Sequence, residues 1–447
     1  MPRNRAKRFL GIPDEFWIAF VIVVGFFLKV VYNINVGWSS ATVNGGVWQE
    51  YAKTQSGGHI SVIQYLYSHH SLPDFDPRQY ACFSNPPFYY ILSSVLLEIF
   101  HRLMRWSIAF SLMLLQFFNA IYVFAGQMAA IGILLKFGIR GRKLLTAVIF
   151  LMMFPAFYTL GAALDGLALC FMFMMLSLNT ALSWYASRRY KSLRMTAIFA
   201  GLGLMTSYAC AAVLPPIIYL VVKGARDGRR NDTPIRGQIL KGSLVTALLG
   251  LWWPVYLLFR FGVPFFYVEA SFGMTITASV GERLSLPGIS VLRHLHTVGS
   301  DMRETNLLGQ LFKTAVLDFD ALNISLAGTY WLTMILLFIV IAICLISHVM
   351  YADILITARI DHVYEMFLVI GELVMIAGYV FTAFRYPYVG TMNFRKIAPI
   401  IIFPLVGMSL CGGDEGDKKF ERICSRLMSG LVLIMAFAAA FLYGFYA

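Results

Sequence analysis

Val47-Trp48-Gln49-Glu50-Tyr51, then Gly57-Gly58-His59-Ile60, then Leu72-Pro73-Asp74-Phe75-Asp76-Pro77, and last Phe83-Ser84-Asn85-Pro86-Pro87-Phe88 punctuate the polar stretch between the first two long hydrophobic runs. The stretch carries carboxylates, His59, His69 and His70, paired glycines and two proline breaks. The rest of the chain is oily: 59% of its 447 residues are hydrophobic and 13% charged, and the mean hydropathy is +0.71. Soluble domains carry about 25% charge, and a bilayer crossing takes about 20 apolar residues. Repeated runs of that length define an all-α polytopic membrane protein. A closed β-barrel is excluded, because its strands alternate in polarity. A membrane protein that gathers its polar residues in one loop is expected to keep its chemistry there.

The net charge of +13 does not point to nucleic acid, because the basic residues fall in short clusters between hydrophobic runs, as in cytoplasmic loops. Cys82, Cys170, Cys210, Cys344, Cys411 and Cys424 show no metal-ligand spacing and read as small hydrophobes. The run after the basic Met1–Arg8 segment is too long for a signal-peptide core and is expected to stay as an uncleaved first helix.

Residues 16–36 form that first span, with the N-terminus cytoplasmic and residues 37–86 outside. Ile60, Ile63, Leu66 and Tyr67 recur at helical spacing and predict a short surface helix. Pro86-Pro87 opens an apolar helix over 87–104, followed by a longer run over 107–136. Further spans are expected near 143–161, 164–186, 193–208, 210–224, 239–260, 327–349, 362–384, 394–411 and 426–446, with a mixed segment at 261–326. Keeping the basic clusters inside requires 87–104 to re-enter or lie in the outer leaflet, 107–136 to cross, and 193–224 to cross twice around Ser207-Tyr208. The expected bundle has about eleven crossings, or 11–13 membrane helices in all, with surface helices in the first and the large fourth outer loops. Residues 1–326 would form a catalytic module, with outer loops 37–86 and 261–326, and 327–447 the C-terminal transmembrane helices.

Two features of the spans cost energy. Asp165, in Leu160-Gly161-Ala162-Ala163-Leu164-Asp165-Gly166, is an acid at the end of an apolar hairpin. Such a residue lines a cavity or meets a cation, or it caps the next helix. Arg385 and Arg395 flank the loop from Tyr386 to Phe394. An arginine there can grip a phosphate bidentately or snorkel to the interface. His59, His69, His70, Asp74 and Asp76 could ligate a divalent metal, though their spacing matches no standard zinc motif. Asn323-Ile324-Ser325 fits a glycosylation sequon.

The order of these elements resembles the GT-C superfamily of membrane glycosyltransferases. The likeness rests on the basic N-terminus and single span, Gly57-Gly58-His59, Leu72-Pro73-Asp74-Phe75-Asp76-Pro77 and the Pro86-Pro87 helix start. It extends through Phe154-Pro155-Ala156-Phe157 with Leu164-Asp165, Gly201-Leu202-Gly203-Leu204-Met205-Thr206, Phe261-Gly262-Val263-Pro264, Leu311-Phe312-Lys313-Thr314, and Tyr386-Pro387-Tyr388 with Thr391-Met392-Asn393-Phe394-Arg395. The chain looks most like the branch related to bacterial protein O-mannosyltransferases and aminoarabinose transferases. That resemblance implies transfer of a sugar from a polyprenyl-phosphate donor to a cell-envelope glycan, lipid or protein at the outer face of the plasma membrane. It implies Glu50 as the base, with Asp76 and Asp74 in reserve. Arg395, Arg385, Arg78 and Asn85 would contact the donor phosphate, and Asp165 and His59 would orient the acceptor or a cation.

The chain also departs from the family. Its His-Pro-Pro reads Asn85-Pro86-Pro87, its Asn-Asp pair reads Leu164-Asp165, and its outer lysine position reads Ser207. These replacements suit an inactive relative that holds a lipid-linked sugar or a protein partner. A transporter is the third alternative, since broken helices and an intramembrane acid also serve transport.

Overall fold

The computed structural model describes residues 8–9, 12–38, 58–80, 82–229, 235–265, 267, 278–287, 306–317, 327–357, 360–387, 389–410 and 419–445. A two-residue antiparallel pair, β1 (Arg8–Phe9) with β2 (Ile12–Pro13), leads into α1 (Asp14–Val36). Then come α2 (His59–His69), α3 (Phe88–Leu97), α4 (Ile108–Lys136), α5 (Gly141–Met153), α6 (Ala156–Ala162), α7 (Leu167–Ser187), α8 (Tyr190–Thr206), α9 (Leu214–Arg229) and α10 (Ile235–Phe261). Two short helices follow, α11 (Val280–Leu284) and α12 (Leu307–Val316). The chain closes with α13 (Ala327–Ile356), α14 (His362–Arg385), α15 (Ile402–Leu410) and α16 (Lys419–Phe445).

Among the described residues, eight helices are single, long and apolar enough to cross a membrane, and the bent pair α5–α6 makes a ninth. Nine of the eleven expected crossings meet this test. Two others fall short as straight spans: α8 has 17 residues, and 394–410 is a 3-10 turn (Phe394–Ile401) running into the nine residues of α15. The segment opened by Pro86-Pro87 is α3 prolonged by a π-helical turn, Glu98–Leu103. Polar side chains mark the helix starts: Ser107 accepts from Phe110 N, Asn306 from Gly309 N and Asp361 from Val363 N, each supplying a partner to an otherwise unmet amide.

The bend between α5 and α6 is 47°, and its cause is Pro155, which has no N–H to offer the Leu151 carbonyl. A bilayer offers no water to a freed carbonyl, so the protein must supply donors. Gln127 of α4 donates to Leu151 O at 2.6 Å, and Lys29 of α1 donates to Met152 O at 2.6 Å. The other end of α6 is met in the same way. Asn33 donates to Gly161 O at 3.1 Å and Gln116 to Ala162 O at 3.0 Å. Asn119 donates to Ala163 O. All five donors are buried, so the broken helix is pinned on both sides by polar groups from α1 and α4.

The later helices close on this core. Tyr443 of α16 stacks on Tyr158 with ring centres 4.8 Å apart and meets Tyr32 at 5.3 Å. In α15, a Cβ on Gly407 would lie 2.8 Å from Tyr351 Cα, so only glycine lets α13 and α15 approach this closely. Toward the C-terminal end of α13 and midway along α14, His348 Nε2 meets Glu372 Oε1 at 2.8 Å, and His348 Nδ1 meets Cys344 O at 2.7 Å.

Replacing Gln127 by Leu should leave the Leu151 carbonyl unmet and cost about 1–3 kcal/mol. The expected outcome is a lower midpoint of thermal unfolding in detergent, with the helical circular dichroism of the folded protein unchanged.

Candidate functional site

The segments between helices meet at one end of the bundle. Trp253 of α10 donates to Ser84 O at 3.1 Å, and Arg78 reaches Phe261 O at 3.1 Å. Buried Arg283 of α11 donates to Ala383 O at 2.8 Å and lies against the Phe384 ring. Tyr379 of α14 lies 3.0 Å from both the Leu307 and Met392 carbonyls. Thr314 of α12 accepts from Phe394 N at 2.9 Å, and Asn393 accepts from Arg395 N at 2.9 Å. The segment that carries Arg395 is thus held by α11, α12 and α14 together.

Arg395 points at the turn after α6. Its Nη1 lies 3.3 Å from Asp165 Oδ2, with side chains 10% and 4% exposed. The other oxygen of Asp165 accepts from Leu167 N at 2.9 Å and caps α7. Asp165 therefore does both things its sequence context allows: it caps a helix and pairs with a cation. The turn is tight against its neighbours, since a Cβ on Gly166 would lie 3.1 Å from Thr206 O.

The opposite wall comes from α2 and α3. Gly58, with φ of +117°, turns the chain into α2, where a side chain would strain the backbone. His59, the first residue of α2, stacks on Tyr90 of α3 with its Nδ1 2.7 Å from the hydroxyl. Asn85 Nδ2 donates to the same hydroxyl at 3.3 Å. Burial lowers the pKa of His59, the charge of Asp165 opposes that shift, and Arg395 and Lys396 reinforce it. Burial pulls the pKa of Lys396 down to about 8, with Arg395 acting the same way and Asp165 and Cys82 opposing it. One cluster therefore holds His59, Tyr90, Asn85, Asp165, Arg395 and Lys396.

The geometry gathers four of the sequence-predicted residues, Asp165, Arg395, His59 and Asn85. It sets four others in contacts of their own. Asp74 accepts from Tyr65 at 3.2 Å. Asp76 is forked by Arg78, with Nη2 to Oδ2 at 2.6 Å, and that guanidinium holds its carboxyl below the usual range. Arg385 is exposed, its guanidinium 5.2 Å from the Tyr386 ring centre. Glu50 and the Asn323 sequon lie outside the described residues. Among the described residues, no three His, Cys, Asp or Glu side chains gather as a metal site. Sequence reasoning missed Lys396 and Tyr90. A second cation directly after Arg395 was the available signal for the first, and the Tyr89-Tyr90 pair behind Pro86-Pro87 for the second.

No family model matches this chain, and no curated protein matches it. Among solved structures it resembles the oligosaccharyltransferase of Archaeoglobus fulgidus, crystallised with zinc and sulfate, at a TM-score of 0.51 and 15% identity. The alignment covers 96% of this chain and 53% of the other, so the chain spans about half that protein's length. Two structures of ArnT from Cupriavidus metallidurans, bound to undecaprenyl phosphate and in the apo state, align at a TM-score of 0.41 with 14% and 13% identity. Each alignment covers 88% of this chain and 77% of that one. The fold defines an all-α polytopic membrane protein with a GT-C-like bundle, as the sequence led us to expect.

The lowered pKa of His59 fixes the sign of one pH effect. Between the two pKa values the unfolded chain binds more protons than the folded one. Stability should therefore fall as pH drops below about 6.5, the ordinary histidine value. Unfolding midpoints of wild type and His59→Gln between pH 8 and 5 test this, and the variant should show the shallower acid slope.

Proposed function

We propose that this chain is an integral membrane glycosyltransferase. It takes a sugar from a polyprenyl-phosphate donor and passes it to a cell-envelope acceptor at the outer face of the plasma membrane, its N-terminus being cytoplasmic. The observation that carries this reading is the charge balance of the buried cluster. Among the described residues, Arg395 and Lys396, the latter with its pKa pulled down to about 8 by burial and so still mostly protonated near neutral pH, face one carboxylate, Asp165. Burial keeps His59 neutral near neutral pH. Among the described residues one positive charge is left in excess, and a buried charge is costly without a counter-charge. A phosphodiester supplies one negative charge, and a lipid-linked one reaches the site from within the bilayer. The fold shared with an oligosaccharyltransferase supports the same reading.

In this mechanism Arg395 and Lys396 receive the phosphate, and charge-assisted hydrogen bonds stabilise it as it leaves. Asp165 aims the Arg395 guanidinium, while Tyr90, held by His59 and Asn85, offers a hydroxyl to the sugar-phosphate. A carboxylate removes the proton of the acceptor hydroxyl. The acceptor oxygen then bonds to the anomeric carbon as the bond to the phosphate oxygen breaks, and the phosphate departs with the electron pair. The outcome is inversion. Glu50 is the proposed base, with Asp76 and Asp74 in reserve. Arg78 and Arg385 are assigned supporting roles toward the phosphate.

A second reading is a relative that holds a lipid-linked sugar without transferring it. Among the described residues the carboxylate of the cluster is Asp165, and it is already taken up by Arg395 and by the cap on α7.

The test is transfer of radiolabelled sugar from polyprenyl phosphates carrying glucose, mannose or arabinose, with host envelope extract as acceptor. Glu50→Gln should abolish transfer and keep donor binding, and Arg395→Ala should weaken binding of bare polyprenyl phosphate at least about tenfold. Donor binding without transfer by the wild type would favour the second reading.

A further inference from the structure

We infer that Asn119, in the middle of α4 and outside the site, is the positioning residue that sets the two walls of the site against each other. The inference rests on the glycosyltransferase reading. Asn119 is 1% exposed. One amide hydrogen goes to Ala163 O, two residues before Asp165, and the other to the Tyr89 hydroxyl at 3.1 Å. Tyr89 precedes Tyr90, whose hydroxyl joins His59 and Asn85. One carboxamide therefore spans from the turn that carries Asp165 to the helix that carries Tyr90.

The other pins do not make this link. Gln116 joins Ala162 O to Gly37 O, and Asn33 joins Gly161 O to Gln116 O. Those contacts tie the broken helix to α1 and α4. Gln127 serves the Pro155 break, at the opposite end of α6. Asn119 connects to α3, and its placement matters for two reasons. The Asp165 side chain swings on the backbone that Ala163 anchors. Tyr89 also lies against Gly166, where an added Cβ would sit 3.4 Å from Tyr89 Cβ. Leucine at 119 would fill the volume and make neither hydrogen bond. The turn and α3 would then settle independently, and Asp165 would no longer aim Arg395 at a phosphate held under Tyr90. A misplacement of about 1 Å can cost about a hundredfold in rate.

The experiment compares Asn119→Leu with Gln127→Leu in the transfer assay, with donor concentration varied and the folded fraction measured by size-exclusion chromatography. Both variants lose one buried amide that serves the same broken helix. We expect Gln127→Leu to keep kcat within twofold of wild type, and Asn119→Leu to lower kcat at least tenfold with KM changed less than threefold. Equal effects of the two would overturn the inference and leave Asn119 a structural pin. Should Asn119→Leu fail to fold, Tyr89→Phe removes the second contact and keeps the carboxamide, with Ser93→Ala as the control for the other partner of that hydroxyl. A three- to tenfold loss of kcat in Tyr89→Phe alone supports the link, and an unchanged kcat or an equal loss in both overturns it. If wild type transfers sugar from no donor, the glycosyltransferase reading fails and the role of Asn119 falls with it, an outcome separate from the variant arms.

Discussion

Inside a bilayer a backbone carbonyl that loses its helical partner has no water to turn to. This constraint governs the centre of the molecule. Pro155 and the end of α6 free carbonyls from Leu151 to Ala163, and five side chains of α1 and α4 meet them. The sequence must therefore spend Lys29, Asn33, Gln116, Asn119 and Gln127 within its hydrophobic runs. The break in turn puts an acid at the end of the bundle where the loops collect. A straight helix over 141–162 would carry Asp165 elsewhere and would not need Lys29 and Gln127 at its middle.

Arg395 is reached from the opposite direction. Its segment abandons regular helix for a 3-10 turn, and the amides of Phe394 and Arg395 are met by Thr314 and Asn393. The carboxylate and the guanidinium thus stand on two irregular pieces of backbone, each fixed by side chains from other helices. Neither partner is free to follow the other if one support is lost. This over-determination is how a buried ion pair with a large desolvation cost is kept in one geometry.

Much of the bundle was legible in the sequence, because hydropathy reports directly on the lipid solvent. The helix start at Pro86-Pro87 and the turn at Ser207 were marked by residues that break periodicity, whereas the bend at Pro155 was read as one span over 143–161. Asp165 and Arg395 stood out because charge in an apolar run is costly. The polar pins did not stand out, since a lone Asn or Gln in a span reads as a tolerated residue until its partner is known. Their partners lie 24 to 128 residues away, and one sequence carries no record of such pairing. Lys396 was missed for another reason: of the adjacent pair Arg395 alone stood out in the sequence, and only the fold brings the charge of Asp165 to bear on its neighbour.

The His348–Glu372 pair has an electrical consequence. The bond from Nδ1 to the Cys344 carbonyl requires a proton on Nδ1. The second proton then rests on Nε2, facing a carboxylate, or on Glu372, facing a neutral imidazole. The sum of charges is zero in both arrangements. The transmembrane voltage, worth about 2.3 kcal/mol per elementary charge per 100 mV, therefore exerts no net pull on the pair. Two helices joined by this pair stay joined whether the membrane is energised or not.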